Sequence, residues 1–208
     1  MHKLIFLLTF LITITSSAQE DEFYVDDAKL IDLVTINYCV DKAGKTTNVK
    51  VVPEKTTYSN LQNIALLIDA SKNLEFDLNS GLLSSCNEYS FRFINKKYFN
   101  KHLDSLQLKL CDNFKEGVFK YDEQIFPTTT IQRTKDFQIE THGKDSFKLK
   151  IEWIQPNIYT LTDTNESTQS LGIGKLTAEI IDILENGDYI CRSTDGKVTI
   201  TALMRKIK

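Results

Sequence analysis

Proline is scarce, with three residues in a chain of 208, and no low-complexity run interrupts the sequence. A chain so poor in breakers and biased tracts is expected to fold nearly throughout. Long apolar runs are missing too, apart from Leu4 to Ile14, which is well short of the ~20 residues that a membrane span requires. Lys3 precedes that run, and the small residues Ser16 and Ala18 stand before a polar QEDE. Residues 1–18 therefore read as a secretory signal peptide cleaved after Ala18, which leaves no transmembrane segment and places the protein in the periplasm or outside the cell. No cysteine follows the small residues, which argues against a lipid anchor.

A clustered basic face is also absent. Loss of Lys3 with the leader leaves 24 basic against 28 acidic residues, interleaved along the chain, so the net charge moves from −3 to −4. Nucleic acid, whose phosphates need grouped Lys and Arg, is not an expected partner. Histidine is rare: only His102 and His142 survive cleavage, and both read as solvated. The G-x-S-x-G, H-E-x-x-H and P-loop spacings do not occur. Without a nucleophile, base and orienter, or a pair of contrasted carboxylates, the chain reads as a non-enzyme with no catalytic, cofactor-binding or metal-ligating residues. Asp26-Asp27 and Asp122-Glu123 read as solvated loop acids rather than a calcium site. LGIGK (171–175) has G-x-G without the third glycine or a following helix, and reads as the start of a strand rather than a phosphate cradle.

What remains is pattern. From Leu33 to Val40 the apolar Val34, Ile36, Tyr38 and Val40 alternate with Thr35, Asn37 and Cys39, the period of a half-buried strand. Asp41 to Lys45 is a turn in which Gly44 can supply a positive φ, and Asn48 to Val52 returns. Ser59 or Asn60 can cap a helix with Leu61, Ile64, Leu67 and Ile68 on one face. Period two resumes from Asn87 to Asn95. The first module is thus α+β, a β-β-α-β antiparallel sheet with one helix, over residues 21–99.

Residues 100–110 read as a connector of mixed periodicity. From 111 to 208 almost nothing is helical: FKLKIEW places Phe147, Leu149, Ile151 and Trp153 on one face, and VTITALM repeats the alternation. Turn signals at 142–145, 155–157, 185–188 and 194–196 predict an all-β antiparallel domain of about eight strands, a small barrel or a sandwich. The parity change at Ile180-Ile181 predicts a bulge. An eight-stranded barrel can be filled or can hold one small ligand. A filled core is the leading reading, with Phe147, Leu149, Ile151 and Trp153 as the candidate wall of an apolar pocket.

Three segments carry a resemblance: INYCVDKAGKTTNVKVV (36–52), NLQNIALLIDASKNLEF (60–76) and NEYSFRFIN (87–95). Across residues ~30–97 the chain resembles the C-terminal domain of the energy-transducing protein TonB, particularly forms in Bacteroidetes. The resemblance implies a small α+β domain that pairs with a protein partner through a sheet edge, here the third strand (Asn87 to Asn95) or the second (Asn48 to Val52). It does not extend to energy transduction, which needs a retained membrane helix and a long Pro-rich spacer. The second half, through C-x-x-F-K-x-G-x-F-x-Y (111–121), T-x-I-x-R (129–133), K-I-E-W-I (150–154) and Y-x-L-T (159–162), resembles small secreted proteins of flavobacteria with no assigned activity.

An oxidising compartment favours paired disulfides for the four cysteines. In the TonB-like arrangement strands one and three run antiparallel side by side, which implies a Cys39–Cys86 bridge, with a free buried Cys39 as the alternative. Cys111 and Cys191 would then pair inside the β domain. The expected function is a non-enzymatic protein-interaction module of the bacterial envelope; the alternative is a carrier of a small apolar ligand inside the β domain.

Overall fold

A computed structural model describes residues 22–121, 129–164 and 175–207. Residues 1–18, expected as a signal peptide, Asp122-Glu123 and residues 171–174 of LGIGK lie outside the described residues. The chain divides into two compact units, Met1–Lys96 and Lys97–Lys208.

The first unit is a four-stranded sheet in the order β1-β4-β2-β3, with β1 Glu22–Val25, β2 Ile31–Val40, β3 Thr46–Val51 and β4 Ser85–Asn95. The alternating segments are the strands expected. Gly44 is obligatory in the turn after β2: its φ is +79°, and a Cβ there would overlap the Phe76 carbonyl oxygen, while the Phe76 amide donates to Gly44 O over 2.8 Å. Helix α1, Leu61–Lys72, is capped by Asn60, whose side chain accepts from the amides of Gln62 and Asn63. Ile64 and Leu67 are buried and Ile68 packs beside them, but Leu61, expected on the same face, is 78% exposed. It occupies the first helical position, ahead of the turn that meets the sheet.

Two expectations need correction. β1 pairs parallel with β4, with Glu22 opposite Arg92 and Val25 opposite Asn95, so the sheet is mixed rather than antiparallel. The third predicted strand, Asn87 to Asn95, is therefore an inner strand between β1 and β2 and is not an edge. EFYV is too short to show alternation beside its acidic flanks; it forms because Phe23 has Phe91 and Phe93 to pack on, with ring centroids 6.0 and 5.2 Å away.

In the second unit eight strands close into an up-and-down antiparallel barrel, which decides between barrel and sandwich. They are β5 Gly117–Tyr121, β6 Thr130–Arg133, β7 Phe137–His142, β8 Asp145–Gln155, β9 Ile158–Asp163, β10 Lys175–Ile183, β11 Tyr189–Thr194 and β12 Thr199–Lys206. The ladder closes through β12 and β5. A register shift between Ile180 and Asp182 realises the expected bulge, and it lets Ile180 and Ile181 both be fully buried. The 100–110 stretch packs within this unit. It contains helix α2, Ser105–Leu110, closed by an Asp104/Gln107 capping box, and Gln107 Nε2 donates to Asp182 Oδ1 over 3.1 Å. A 3-10 turn, Cys111–Phe114, leads into β5 and buries both of its end residues.

Candidate functional site

Cross-strand register fixes which side chains line the barrel, because directly opposed residues share a face of the sheet. Arg133 opposes Gln138, which opposes Leu149, which opposes Asp163. Ile151 opposes Leu161, and Trp153 opposes Tyr159. The predicted set Phe147, Leu149, Ile151 and Trp153 is thus the inner face of β8, brought together as its alternation requires. Burial deepens from Phe147, 42% exposed, through half-buried Leu149 to Ile151, 3% exposed, and eases again at Trp153. Trp153 is half-buried, with its indole Nε1 inaccessible.

At the end of the barrel where the rings of Trp153 and Tyr159 pack at a tilt, with centroids 4.7 Å apart, lies a buried cation. Arg133 is 2% exposed. Its Nε donates to Gln138 Oε1 over 2.9 Å, its Nη1 to the Phe114 carbonyl over 2.7 Å, and its Nη2 to the Tyr159 hydroxyl over 3.0 Å. The guanidinium lies 4.8 Å from the ring centroid of Phe119 and 4.7 Å from that of Tyr159. Such contacts are worth about 2 kcal/mol when desolvated. Gln138 passes the network on, donating to Glu140 Oε1 over 2.6 Å. Burial pushes the Glu140 carboxyl above its ordinary value, against the Gln138 hydrogen bond and the charge of Arg133. Burial likewise raises Tyr159 and Tyr189. Tyr189 lies close to Arg133 and Tyr159, but its hydroxyl makes no bond of hydrogen-bonding geometry with either.

These polar residues were not anticipated. T-x-I-x-R already contained the signal, because Arg133 shares the inward parity of Ile131, as Gln138 and Glu140 share that of their partners. A charged residue at an inward position of a short strand is the feature to look for.

The cysteines divide unequally. Cys39 and Cys86 are directly opposed on β2 and β4 and form a disulfide. Cys111 and Cys191 are both buried and neither is in a disulfide, so the expected second bridge is not formed. Cys191 opposes Ala202 on β12, whereas Cys111 sits in the turn before β5 with its thiol donating to Gln107 O over 3.7 Å. Burial, with Asp112 adding to it, pushes the Cys111 thiol up to about 11, so it stays protonated and unreactive at neutral pH.

The remaining candidates are separate. His102 faces Glu179 at 3.2 Å and His142 faces Thr129 at 3.1 Å, both on exposed positions. Asp27 accepts from Tyr58 and Asn60 at 2.6 and 2.5 Å. Among the described residues no cluster of three potential metal ligands occurs, and no helix is long and apolar enough to cross a membrane. β3 is an outer strand of its sheet, paired on one side by β2. At the β1 side of that sheet, Phe23, Val25, Asn63, Leu66, Leu67 and Phe93 line a small open crevice of about 40 Å³.

Compared with known proteins, the chain matches no family model, no curated protein and no solved structure.

Proposed function

We propose that this protein is a non-enzymatic binding protein of the bacterial envelope, exported through its 1–18 leader, whose barrel carries a small ligand with an apolar body. The observation that supports this reading is the inner face of β8, which runs from an exposed Phe147 through Leu149 to a buried Ile151. Apolar side chains that face inward yet stay open to solvent at one end form a cup, and eight strands leave room for one small ligand. Without ligand the deeper interior is packed: Phe119, Ile131, Tyr159 and Met204 are all buried. The carrier reading therefore requires the interior to yield, and Met204, an adaptable side chain, is the residue best suited to do so. Titration of the purified protein with a neutral apolar fluorophore tests the reading: saturation at one site per chain, with a shift in Trp153 emission, supports it, and absence of saturable binding overturns it.

A second reading, a protein-interaction module acting by sheet-edge pairing, is favoured by β3. In the Ile36–Val51 pair the Val51 amide faces away from β2, because the adjacent Val52 amide donates to Thr35 O. A partner's strand could add there.

A further inference from the structure

Resting on the carrier reading, we infer that the ligand is a carboxylate with an apolar tail, its head held by Arg133, Tyr189 and Trp153 at the closed end of the barrel.

The argument is a count of donors against acceptors. A guanidinium has five N–H groups and no acceptor. Three of them are taken by Gln138, the Phe114 carbonyl and Tyr159, all neutral, so two remain. The indole N–H of Trp153 is donor-only and is buried without a partner, and the Tyr189 hydroxyl, 0% exposed, lies close to Arg133 and Tyr159 but makes no hydrogen bond of full geometry with either. These groups belong to one cluster: the guanidinium is 5.9 Å from the Trp153 ring, and Tyr189 packs on Phe114 and Phe119 with centroids 4.6 and 6.0 Å away. The cluster is thus rich in donors and short of acceptors.

Charge points the same way. No carboxylate of the described residues bonds directly to Arg133. Glu140 is hydrogen-bonded to Gln138, which stands between it and Arg133. Lys115 and Lys206 add positive charge at the same end, 5.8 Å from the Trp153 ring and 5.9 Å from the Phe119 ring. Lys115 pairs with Asp112 at 2.6 Å, and Lys206 donates to the Asn113 carbonyl. A buried cation with no directly bonded anion costs several kcal/mol. A bound carboxylate supplies both the missing charge and the missing acceptors. A neutral hydrocarbon supplies neither, and a cation would be repelled.

Geometry sets the shape of the ligand. The guanidinium packs against the rings of Phe119 and Tyr159, and its two remaining N–H groups suit a planar, two-oxygen head. Phe114, buried in the 3-10 turn against Tyr189, leaves little room beyond the head at that end, so the tail would run towards Phe147. Along β8 the span from Trp153 to Phe147 is roughly 20 Å at ~3.3 Å per residue, enough for a medium-length alkyl chain. Met204, opposed to Tyr189 on β12, is the side chain whose rotation makes room beside the hydroxyl.

The experiment is calorimetric titration of the full chain with dodecanoate and with dodecanol, both below their micellar concentrations. Wild type is expected to bind dodecanoate at least tenfold more tightly than dodecanol, and Arg133→Gln to erase that difference. Tyr189→Phe keeps the shape of the core. It should weaken dodecanoate about tenfold, the worth of one hydrogen bond to a charged group, and leave dodecanol unchanged. The melting temperature of ligand-free Tyr189→Phe should hold or rise, since the variant removes an unpartnered buried hydroxyl. If Arg133→Gln does not fold, the Tyr189→Phe comparison decides. Equal binding of acid and alcohol to wild type would overturn the carboxylate head while leaving the carrier reading standing. Binding of neither would overturn both.

Discussion

Cys39 stands directly opposite Cys86 across β2 and β4, and the bridge between them encloses a sequence separation of 47 residues containing β3 and α1. In the chain-entropy treatment a closure of that length stabilises the fold by about 4 kcal/mol. Cys39→Ser with Cys86→Ser is therefore expected to lower the unfolding free energy of the first unit by about that amount, read from denaturant midpoints. Peptide mapping without reductant should recover the Cys39–Cys86 pair and find Cys111 and Cys191 alkylated only after denaturation. A Cys111–Cys191 pair in that map would contradict the structure.

Asp27 gives the first unit an acid dependence. Hydrogen bonds from Asn60 and then Tyr58 hold its carboxyl below the ordinary value, with burial opposing them, while Tyr58 is pushed up to about 12 by its own burial and by Asp27. A depressed carboxyl contributes stability that is complete above its unfolded-state pKa and is lost as pH falls through the lower folded-state value. Because Asp27 is exposed, solvent screening limits the contribution to under about 1 kcal/mol. Asp27→Ala should flatten the acid limb of the stability profile by lowering the neutral plateau by that amount while leaving stability at the acid end almost unchanged; an unaltered acid limb would show that other carboxylates govern it.

Trp153→Ala separates packing from ligand binding. Phe or Trp truncation in a core costs 3–5 kcal/mol, and the half-buried position of Trp153 puts the expected loss near the lower end, about 3 kcal/mol. If the space around it serves a ligand, the loss should be smaller and binding of an apolar probe should fall instead.

Val51→Pro tests the sheet edge. The substitution removes a backbone donor that faces away from β2, so thermal unfolding should shift little. If β3 pairs with a partner's strand, a partner identified with wild type should no longer bind. Retained binding with an intact fold would dispose of the edge-pairing reading.

The sequence revealed some layers of this molecule better than others, for physical reasons. FKLKIEW announced both a strand and its inward face, because burial on one side of a sheet imposes a strict period of two. The Ile180-Ile181 parity change announced a bulge in the same way. EFYV could not announce β1: four residues hold too little alternation, and its pairing depends on Phe91 and Phe93, almost seventy positions on. The Cys39–Cys86 bridge followed from the strand adjacency implied by the TonB-like resemblance, whereas Cys111 lies in a turn whose placement no local pattern fixes, so its bond to Cys191 could not be judged. Arg133 was hidden because an inward polar residue breaks the rule by which inward positions are recognised. Only the completed ladder through Gln138 and Leu149 shows where it points.

The closure between β12 and β5, with Met204 opposite Tyr121 and Lys206 opposite Phe119, is the one ladder of the barrel that joins strands distant in sequence; every other ladder joins neighbours. Most of the ring can therefore assemble hairpin by hairpin, at the low cost of short loops, and a single seam completes it. Phe119 and Met204, both buried in the core, lie on the two sides of that seam. A chain cut within the seam strands would lose the event that turns a curling ribbon into a vessel, and with it any interior to fill.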